Sequence, residues 1–214
     1  MPAETKGLYA LQKRDTPKAG AVLADAFRHD PLWDRLFAGL SDVERRRRAF
    51  FETPVRYCRR FGEAYATSER LEGIAAWVPD TFANMSMWRL LRSGALGCVA
   101  RMGPKLARRI DPVLGPLQGD RQRHMQGTPF IYVQIVGVAT ALQGQGYGRR
   151  MLQAMIEKSE HDGRALYLET ETERNAAMYE RYGFRVLQRI TLPIVELPMW
   201  EMVREPQRGS ATPT

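Results

Sequence analysis

The sequence contains few of the residues that build metal and disulfide sites. It has two cysteines and three histidines in 214 residues. Cys58 and Cys98 lie far apart, without CxxC spacing or an accompanying pair of histidines. This pattern favours neither a zinc site nor a disulfide framework, so we predict no metal ligands. Such a composition fits best with the reducing environment of the cytoplasm.

Long apolar runs are also missing. No run approaches the roughly 18 to 20 residues that a membrane helix needs, and the first residues lack the basic and apolar pattern of a leader peptide. We therefore expect no membrane association. The length suits one compact domain, and a hydrophobic content of 44 % supplies a substantial core. We predict a single domain over residues 1–204 and a flexible tail over residues 205–214.

Acidic residues are outnumbered, with 24 Asp and Glu against 32 Lys and Arg, which gives a formal charge of +8. A basic surface can attract nucleic acid, membrane headgroups or a polyanionic cofactor, and composition alone does not choose among them. The densest cluster, residues 45–48, follows Ser41 and Glu44, which have the spacing of a helix capping box. We interpret these arginines as a solvated helix face, and nucleic acid is not the favoured partner.

The first half of the chain alternates strand and helix patterns. We predict a strand over residues 8–14, helices over 16–28 and 31–37, a helix over 42–62 that bends or breaks near Pro54, and a hairpin of strands over 64–68 and 73–78. A helical insertion follows over about residues 80–127. Its pattern is interrupted at Gly103, Pro104, Pro112 and Pro116.

The second half has clearer signals. An aromatic and β-branched run over residues 130–138 predicts a buried strand. An amphipathic helix follows, with Gly163 at the place where it should end. We predict strands over residues 165–169, 184–192 and 199–203, and a short helix over 175–182.

The sharpest feature is the run Gln-Gly-Gln-Gly-Tyr-Gly at residues 143–148, between the buried strand and the amphipathic helix. A glycine-rich turn at this position leaves backbone N–H groups free beside a helix N-terminus, which makes a pocket for phosphate oxygens. No Gly-Lys-Ser/Thr closes the turn, so a mononucleotide P-loop is excluded. The glycine spacing and the late position in the chain also fit a Rossmann fingerprint poorly. The remaining alternative is a glycine-rich connection between the strand and the helix that binds no ligand.

At these residues the sequence resembles the GNAT superfamily of N-acetyltransferases. Val136-Gly137-Val138 and residues 143–148 are similar to its acyl-CoA motif. The segments Leu168-Glu169-Thr170, Arg174-Asn175 and residues 179–184 are similar to the strand and helix that follow in the family. The resemblance covers about residues 130–203 and is greatest to puromycin N-acetyltransferase and its relatives. Many members have proline shortly after the fourth strand, where this chain has Thr140.

The resemblance implies an α/β (α+β) fold of the GNAT type. Its sheet should be central, mixed, mostly antiparallel and twisted, with six or seven strands flanked by helices. Strands four and five should splay around acetyl-CoA (coenzyme A), and the insertion should lie between strands three and four. The implied cofactor contacts are Val136, Gly137, Val138, Gln143, Gly144, Gln145, Gly146, Tyr147, Gly148, Arg149, Asn175 and Tyr179. A backbone N–H near Val136 or Val138 should polarise the thioester carbonyl.

Acyl transfer to an amine needs a base for the amine proton and an acid for the thiolate. Tyr179 occupies the position of the family's catalytic acid, although core packing is the alternative role of its ring. Several relatives have a glutamate on the fourth strand, where this chain has Gln134, which cannot take a proton. Glu169 is the predicted base. Glu171, Glu173, His29 and ordered water are the alternatives, and Asn175 could instead cap its short helix.

The predicted activity is acetyl transfer to the primary amine of a small molecule, by direct attack in a ternary complex. Within the insertion, an apolar group either covers the acceptor or belongs to the core. This group is Phe82, Met85, Met87 and Trp88. The alternatives are a peptide or protein N-acetyltransferase, and a binding module whose basic surface contacts nucleic acid. Edge strands near the C-terminus make a homodimer possible, while the acceptor and the length of the acyl group stay open.

Overall fold

Seven strands form one sheet in the computed structural model, which describes residues 7–207. They are β1 (Tyr9–Ala10), β2 (Glu63–Ala66), β3 (Gly73–Pro79), β4 (Phe130–Val138), β5 (Ala165–Thr170), β6 (Arg185–Leu192) and β7 (Leu197–Arg204). Their order in the sheet is β1-β2-β3-β4-β5-β7-β6. β4 and β5 run parallel, and the other neighbours in this sheet pair antiparallel. The predicted mixed, mostly antiparallel sheet is confirmed.

Eight α-helices flank the sheet within residues 7–207. They are α1 (Thr16–Ala26), α2 (Pro31–Phe37), α3 (Val43–Phe61), α4 (Met87–Arg92), α5 (Leu96–Met102), α6 (Pro104–His124), α7 (Tyr147–Asp162) and α8 (Glu173–Glu180). The helices α4, α5 and α6 lie between β3 and β4, which confirms the predicted insertion. None of the helices in this range has both the length and the apolar character that a membrane crossing requires.

Side chains of β3 alternate between two cores. Ile74 and Val78 are buried with residues of α1 and α3 on one face of the sheet. Ala75 and Trp77 are buried with residues of α7 on the other face. This alternation follows from the two-residue period of a strand, and it gives a helix–sheet–helix sandwich. The single-domain boundaries stay predictions, and residues 208–214 of the predicted tail lie outside the described residues.

The first strand is shorter than the sequence pattern predicts. β1 contains only Tyr9 and Ala10, and Lys13–Asp15 form a 3₁₀ turn. The carboxylate of Asp15 accepts hydrogen bonds from the Tyr9 hydroxyl at 2.9 Å and from the backbone N–H of Gln12 at 2.8 Å. These bonds fold the chain back on itself, so the strand over residues 8–14 cannot continue.

Prolines inside two helices do not break them. The interruptions predicted at Pro112 and Pro116 are wrong, and of the bend or break predicted near Pro54 the break does not occur. Pro54 lies within α3, and Pro112 and Pro116 lie within α6. A proline in a helix interior costs about 3 kcal/mol or more. Burial of a large apolar side chain contributes about 1.5–3 kcal/mol, and Phe51 and Val55 are fully buried on either side of Pro54. Packing therefore outweighs the local preference in α3, whereas the predicted break at Gly103 and Pro104 does separate α5 from α6.

One arginine of the cluster at residues 45–48 is buried, contrary to the prediction of a solvated face. The Arg47 guanidinium donates to the backbone oxygens of Phe27 at 3.0 Å and Arg28 at 2.9 Å, and to Asp34 at 3.0 Å. It thereby fastens α3 to the segment between α1 and α2. The predicted capping by Ser41 is also wrong, because Asp42 begins the helix with φ 51° and without a side-chain cap.

The close contact between α1 and α3 depends on Gly20. A Cβ at this position would lie 2.7 Å from the Cβ and 2.8 Å from the Cα of Glu52. We expect Gly20→Ala to lower the free energy of unfolding by about 1–3 kcal/mol through overpacking, measured by urea denaturation. The control is Gly97→Ala in α5, where nothing lies within 4 Å and alanine should stabilise by about 0.5–1 kcal/mol. Equal effects of the two substitutions would contradict this account.

Candidate active site

β4 and β5 separate part-way along their length. They pair only from Phe130 to Tyr132 on β4, although β4 continues to Val138. The register with β3 shifts in the same region, where Ala76 pairs with Ile135 and Trp77 with Val133. Gln134 is therefore the extra residue of a β-bulge, a feature that bends a strand. Beyond the bulge, β4 leaves β5, which confirms the predicted splaying of these two strands.

The glycine-rich loop lies at the open end of β4 and leads into α7. Gly144 and Gly146 have φ angles of 80° and 88°, a region that suits glycine. Within residues 7–207, the backbone N–H groups of Gly144, Gln145 and Gly146 have no hydrogen-bond acceptor, and no side chain caps α7. The N–H groups of the first turn of α7 are free as well, as at every helix start. The loop thus presents successive donors at the positive end of a helix dipole.

Hydrogen bonds fix the start of this loop. The Thr140 amide donates to the Asp25 carboxylate at 2.8 Å, and the Thr140 hydroxyl donates to the Asp25 backbone oxygen at 2.9 Å. The Gln143 side chain donates to the Val138 oxygen at 3.2 Å. Where many family members have a proline, this chain therefore holds the turn through side-chain hydrogen bonds to α1.

The predicted contact residues of β4 have different surroundings. Val136 lines a cavity, whereas Gly137 is buried against α1. A Cβ on Gly137 would lie 2.9 Å from Leu23 Cδ2 and 3.1 Å from Ala26 Cβ. The absence of a side chain at Gly137 is thus required by the packing of α1, and only its backbone is available to a cofactor.

α8 faces the gap from the other side. Asn175 and Tyr179 are four residues apart, so they share one helix face, and both line the same cavity as Val136. Thr172, not Asn175, caps the helix, because its hydroxyl oxygen accepts a hydrogen bond from the backbone N–H of Asn175 at 3.2 Å. The alternative role of Asn175 as the cap is therefore wrong. Burial, with a contribution from Glu171, raises the pKa of Tyr179 to about 12.

The cavity has a volume of about 530 Å³ and lies between the gap and the helical insertion. Met85 and Met87 of the insertion line it, which is one of the two roles considered for this group. Phe82 instead stacks on Phe61 in the core, with ring centroids 5.1 Å apart. Trp88 is 64 % exposed and is not a wall residue. The predicted cover of the acceptor site is thus divided between wall, core and surface.

Glu169 lines the cavity in a buried ion pair. Its carboxylate lies 2.9 Å from Arg121 of α6, and the two side chains are 8 % and 6 % exposed. Arg121 also donates to the Asn84 side chain at 3.0 Å and lies 4.0 Å from the centre of the Tyr132 ring. Burial raises the pKa of Glu169, while the Arg121 charge and a hydrogen bond from Tyr132 oppose this effect. The predicted base is therefore held by a permanent cation.

Glu171 lies near Tyr179 and has a different partner. Its side chain is hydrogen-bonded to Asp30, whose carboxylate also accepts the Leu32 amide at 3.0 Å at the start of α2. Burial raises the pKa of Glu171 well above its usual range, and the neighbouring Asp30 raises it further. Two acidic groups in contact favour the protonated form of one of them. Glu171 is also a wall residue of the cavity.

Two other candidate bases lie away from the cavity. Glu173 is exposed in the first turn of α8, and His29 is exposed after α1. Arg121 was not predicted as a site residue. Arg121 continues the buried stripe of Val113 and Leu117 at four-residue spacing, and an arginine in such a stripe is a signal of a buried charged contact.

Comparison with known proteins agrees with this geometry. A family model described as an acetyltransferase (GNAT) domain matches residues 113–186, which include the loop and α8. An uncharacterized N-acetyltransferase of Schizosaccharomyces pombe is 27 % identical over 210 residues, covering 94 % of this chain and 83 % of the relative. Residues 113–186 thus match the GNAT acetyltransferase family. The finer resemblance to puromycin N-acetyltransferase stays a prediction.

Solved structures of acetyltransferases share the fold of this chain. A histone acetyltransferase and related acetyltransferase from Corynebacterium glutamicum has a TM-score of 0.63 at 22 % identity, covering 95 % of this chain and 98 % of that one. A polyamine N-acetyltransferase of Drosophila melanogaster has a TM-score of 0.60 at 14 % identity, covering 92 % and 98 %. GNAT acetyltransferases use acetyl-CoA, and the free loop amides and the gap between β4 and β5 fit such a ligand.

Proposed function

We propose that this protein transfers an acetyl group from acetyl-CoA to the primary amine of a small molecule, by direct attack in a ternary complex. One observation carries the proposal. Val136, Asn175 and Tyr179, which the family resemblance places around the thioester, form part of the wall of the cavity of about 530 Å³. Space for an acceptor therefore begins where the acyl group should end. The cofactor supplies an activated acyl group as a thioester.

The loop should hold the pyrophosphate of the cofactor through its backbone. Gly144, Gln145 and Gly146 offer free N–H groups, and the first turn of α7 adds those of Tyr147, Gly148 and Arg149. Such amides bind phosphate oxygens directly, and the helix dipole favours the negative charge. Exposure of the loop leaves room for this large anionic group.

The bulge at Gln134 should orient the amine. The side-chain oxygen of Gln134 is buried, lines the cavity and has no hydrogen-bond partner among residues 7–207. An amide oxygen cannot take a proton, but it can accept an N–H from the incoming amine. Backbone N–H groups of β4 near Val136 or Val138 should polarise the acyl carbonyl, because β5 no longer pairs with the strand there.

We propose Glu171 as the base that receives the amine proton. Burial raises the pKa of both Glu169 and Glu171, but at Glu169 the Arg121 charge at 2.9 Å opposes that rise. Glu171 instead contacts another acidic group, which raises its pKa further. A base with a raised pKa takes a proton from an ammonium more readily, provided that the pH is high enough to leave it ionised.

Tyr179 should protonate the leaving thiolate. Its raised pKa of about 12 keeps the phenol protonated at neutral pH, as an acid must be. Its hydroxyl makes no hydrogen bond to another residue within 7–207, so the proton is available to a ligand. Transfer to a thiolate whose conjugate acid has a pKa of about 8.5 is uphill in water, so position must assist it.

The loop assignment can be tested with a charge at Gly148. This residue is the second of α7, and the nearest atom to an added Cβ is Val138 Cγ2 at 3.8 Å. Gly148→Asp should fold normally, because an acidic residue suits a helix start. Its charge should weaken CoA binding by about tenfold or more relative to the neutral Gly148→Asn, measured by calorimetry. Equal affinities would show that the pyrophosphate lies elsewhere. Gly146 is a poorer probe, because its φ of 88° would strain any side chain.

The role of Tyr179 can be tested by removing its hydroxyl. Tyr179→Phe should bind acetyl-CoA normally and lose about 10² to 10⁴ in turnover, measured as release of free thiol with an accepted amine. Tyr182→Phe, three residues along and away from the cavity, is the control and should stay within about twofold of the parent. If Tyr179→Phe turned over normally in a folded protein, water rather than this phenol would be the acid.

The two candidate bases can be separated by matched substitutions. Glu171→Gln should lower turnover by about 10² to 10⁴ and abolish its rise with pH, whereas Glu173→Gln in the exposed first turn should change neither. Glu169→Gln leaves Arg121 without its buried partner, so it should cost about 3–5 kcal/mol of stability. If the Glu169→Gln variant folds, its turnover should still rise with pH. The reverse result, with loss of that rise only in Glu169→Gln, would restore Glu169 as the base.

A broad test of the proposed function combines acetyl-CoA binding with a panel of amines. Binding by calorimetry and thiol release with at least one small amine are expected. Absence of both would overturn the proposal. A homodimer and a cytoplasmic location stay predictions.

A further inference from the structure

The wall of the cavity is mainly apolar beyond the reacting end. Phe27, Trp33 and Phe50 contribute aromatic rings, and Leu90, Ile110 and Leu114 contribute aliphatic side chains. The aromatic residues lie at the end of α1, in α2 and in α3, and the aliphatic residues lie in α4 and α6 of the insertion. A volume of about 530 Å³ lies within the range of cavities that enclose drug-sized ligands. The space therefore suits an apolar group of that size.

Few carboxylates of the wall could pair with a second positive charge on a ligand. The carboxylates of the wall are Asp111, Glu169 and Glu171. Glu169 is paired with Arg121, which is itself a wall residue and would repel a cation. Glu171 lies at the reacting end, near Tyr179. Only Asp111, which is exposed, remains for a second ammonium group, and a charge placed among apolar side chains without a partner costs several kcal/mol.

We infer that the acceptor is a monoamine with a large apolar body, and not a polyamine. Its amine lies between Glu171 and Tyr179, and its body fills the space against Trp33, Phe50 and Leu114. This inference rests on the proposed function and specifies its substrate class. Apolar burial supplies the binding energy, while Gln134 and Glu171 orient the nitrogen.

Straight-chain amines test this directly, with thiol release from acetyl-CoA as the measurement. From n-butylamine to n-octylamine, kcat/KM should rise by about fourfold for each methylene until the cavity is filled. The sharpest pair is n-heptylamine and 1,6-diaminohexane, which have equal length but differ in a terminal methyl or ammonium group. The diamine should have a kcat/KM at least about tenfold lower. Spermidine should be poorer than n-octylamine.

A charge in the wall should change this preference. Leu114→Glu places a carboxylate in the cavity, so it should lower kcat/KM for n-heptylamine and raise that for 1,6-diaminohexane, changing their ratio at least about tenfold. Gly119→Glu adds the same charge to the same helix, outside the wall and with nothing within 4 Å of its Cβ. The ratio should stay within about twofold of the parent in that control. A thermal melt establishes that both variants fold, and the amine series on the parent protein needs neither of them.

The outcomes distinguish the inference from the proposed function. Better turnover of diamines or spermidine than of matched alkylamines, no gain along the alkylamine series, or transfer confined to peptide N-termini would overturn the inference. In the first two cases small amines are still acetylated, so the proposed function stands. Absence of thiol release with every amine, together with no binding of acetyl-CoA in calorimetry, would overturn the proposed function itself.

Discussion

The early end of the parallel pairing between β4 and β5 is the constraint on which the rest of the site depends. Pairing stops after Tyr132, and the bulge at Gln134 bends β4 away from its neighbour. The far part of β4 stays paired with β3 and packs against α1, which approaches Gly137 so closely that a Cβ would not fit. A gap in the middle of a sheet would normally leave buried backbone groups unsatisfied. Here it leaves donors where a ligand can use them.

The insertion completes the site because polar contacts fasten it to the sheet. Arg121 of α6 pairs with Glu169 of β5, and His124 of α6 lies 3.1 Å from Glu201 of β7. Glu201 also accepts the Tyr167 hydroxyl at 2.7 Å, and burial raises its pKa to about 7. A buried charge without a partner is costly, so these pairs allow few other positions of α6. The wall of the cavity is thereby set at a fixed distance from Tyr179.

Local sequence patterns predicted the limits of helices and strands correctly where a single feature of the sequence marks them. The limits of α2 and β4 agree with the sequence analysis, because a proline after Asp30 and a continuous apolar run mark them. The interruptions predicted at Pro112 and Pro116 are wrong, and α3 continues through Pro54 without a break, because packing along α3 and α6 outweighs a local penalty. Burial of Arg47 was missed for the same reason, since its acceptors lie about 20 positions earlier in the chain.

For the candidate site, the sequence by itself determined the features that depend on local geometry. The loop glycines follow from a turn that only glycine adopts readily, and Asn175 and Tyr179 share a helix face because of their spacing. Tertiary structure alone decided which charges meet. Arg121 and Glu169 are separated by 48 positions, and Asp30 reaches Glu171 from the other half of the chain. The spacing of apolar and polar residues along the sequence does not indicate such contacts, because they arise only when the insertion and α2 pack against the open end of the sheet.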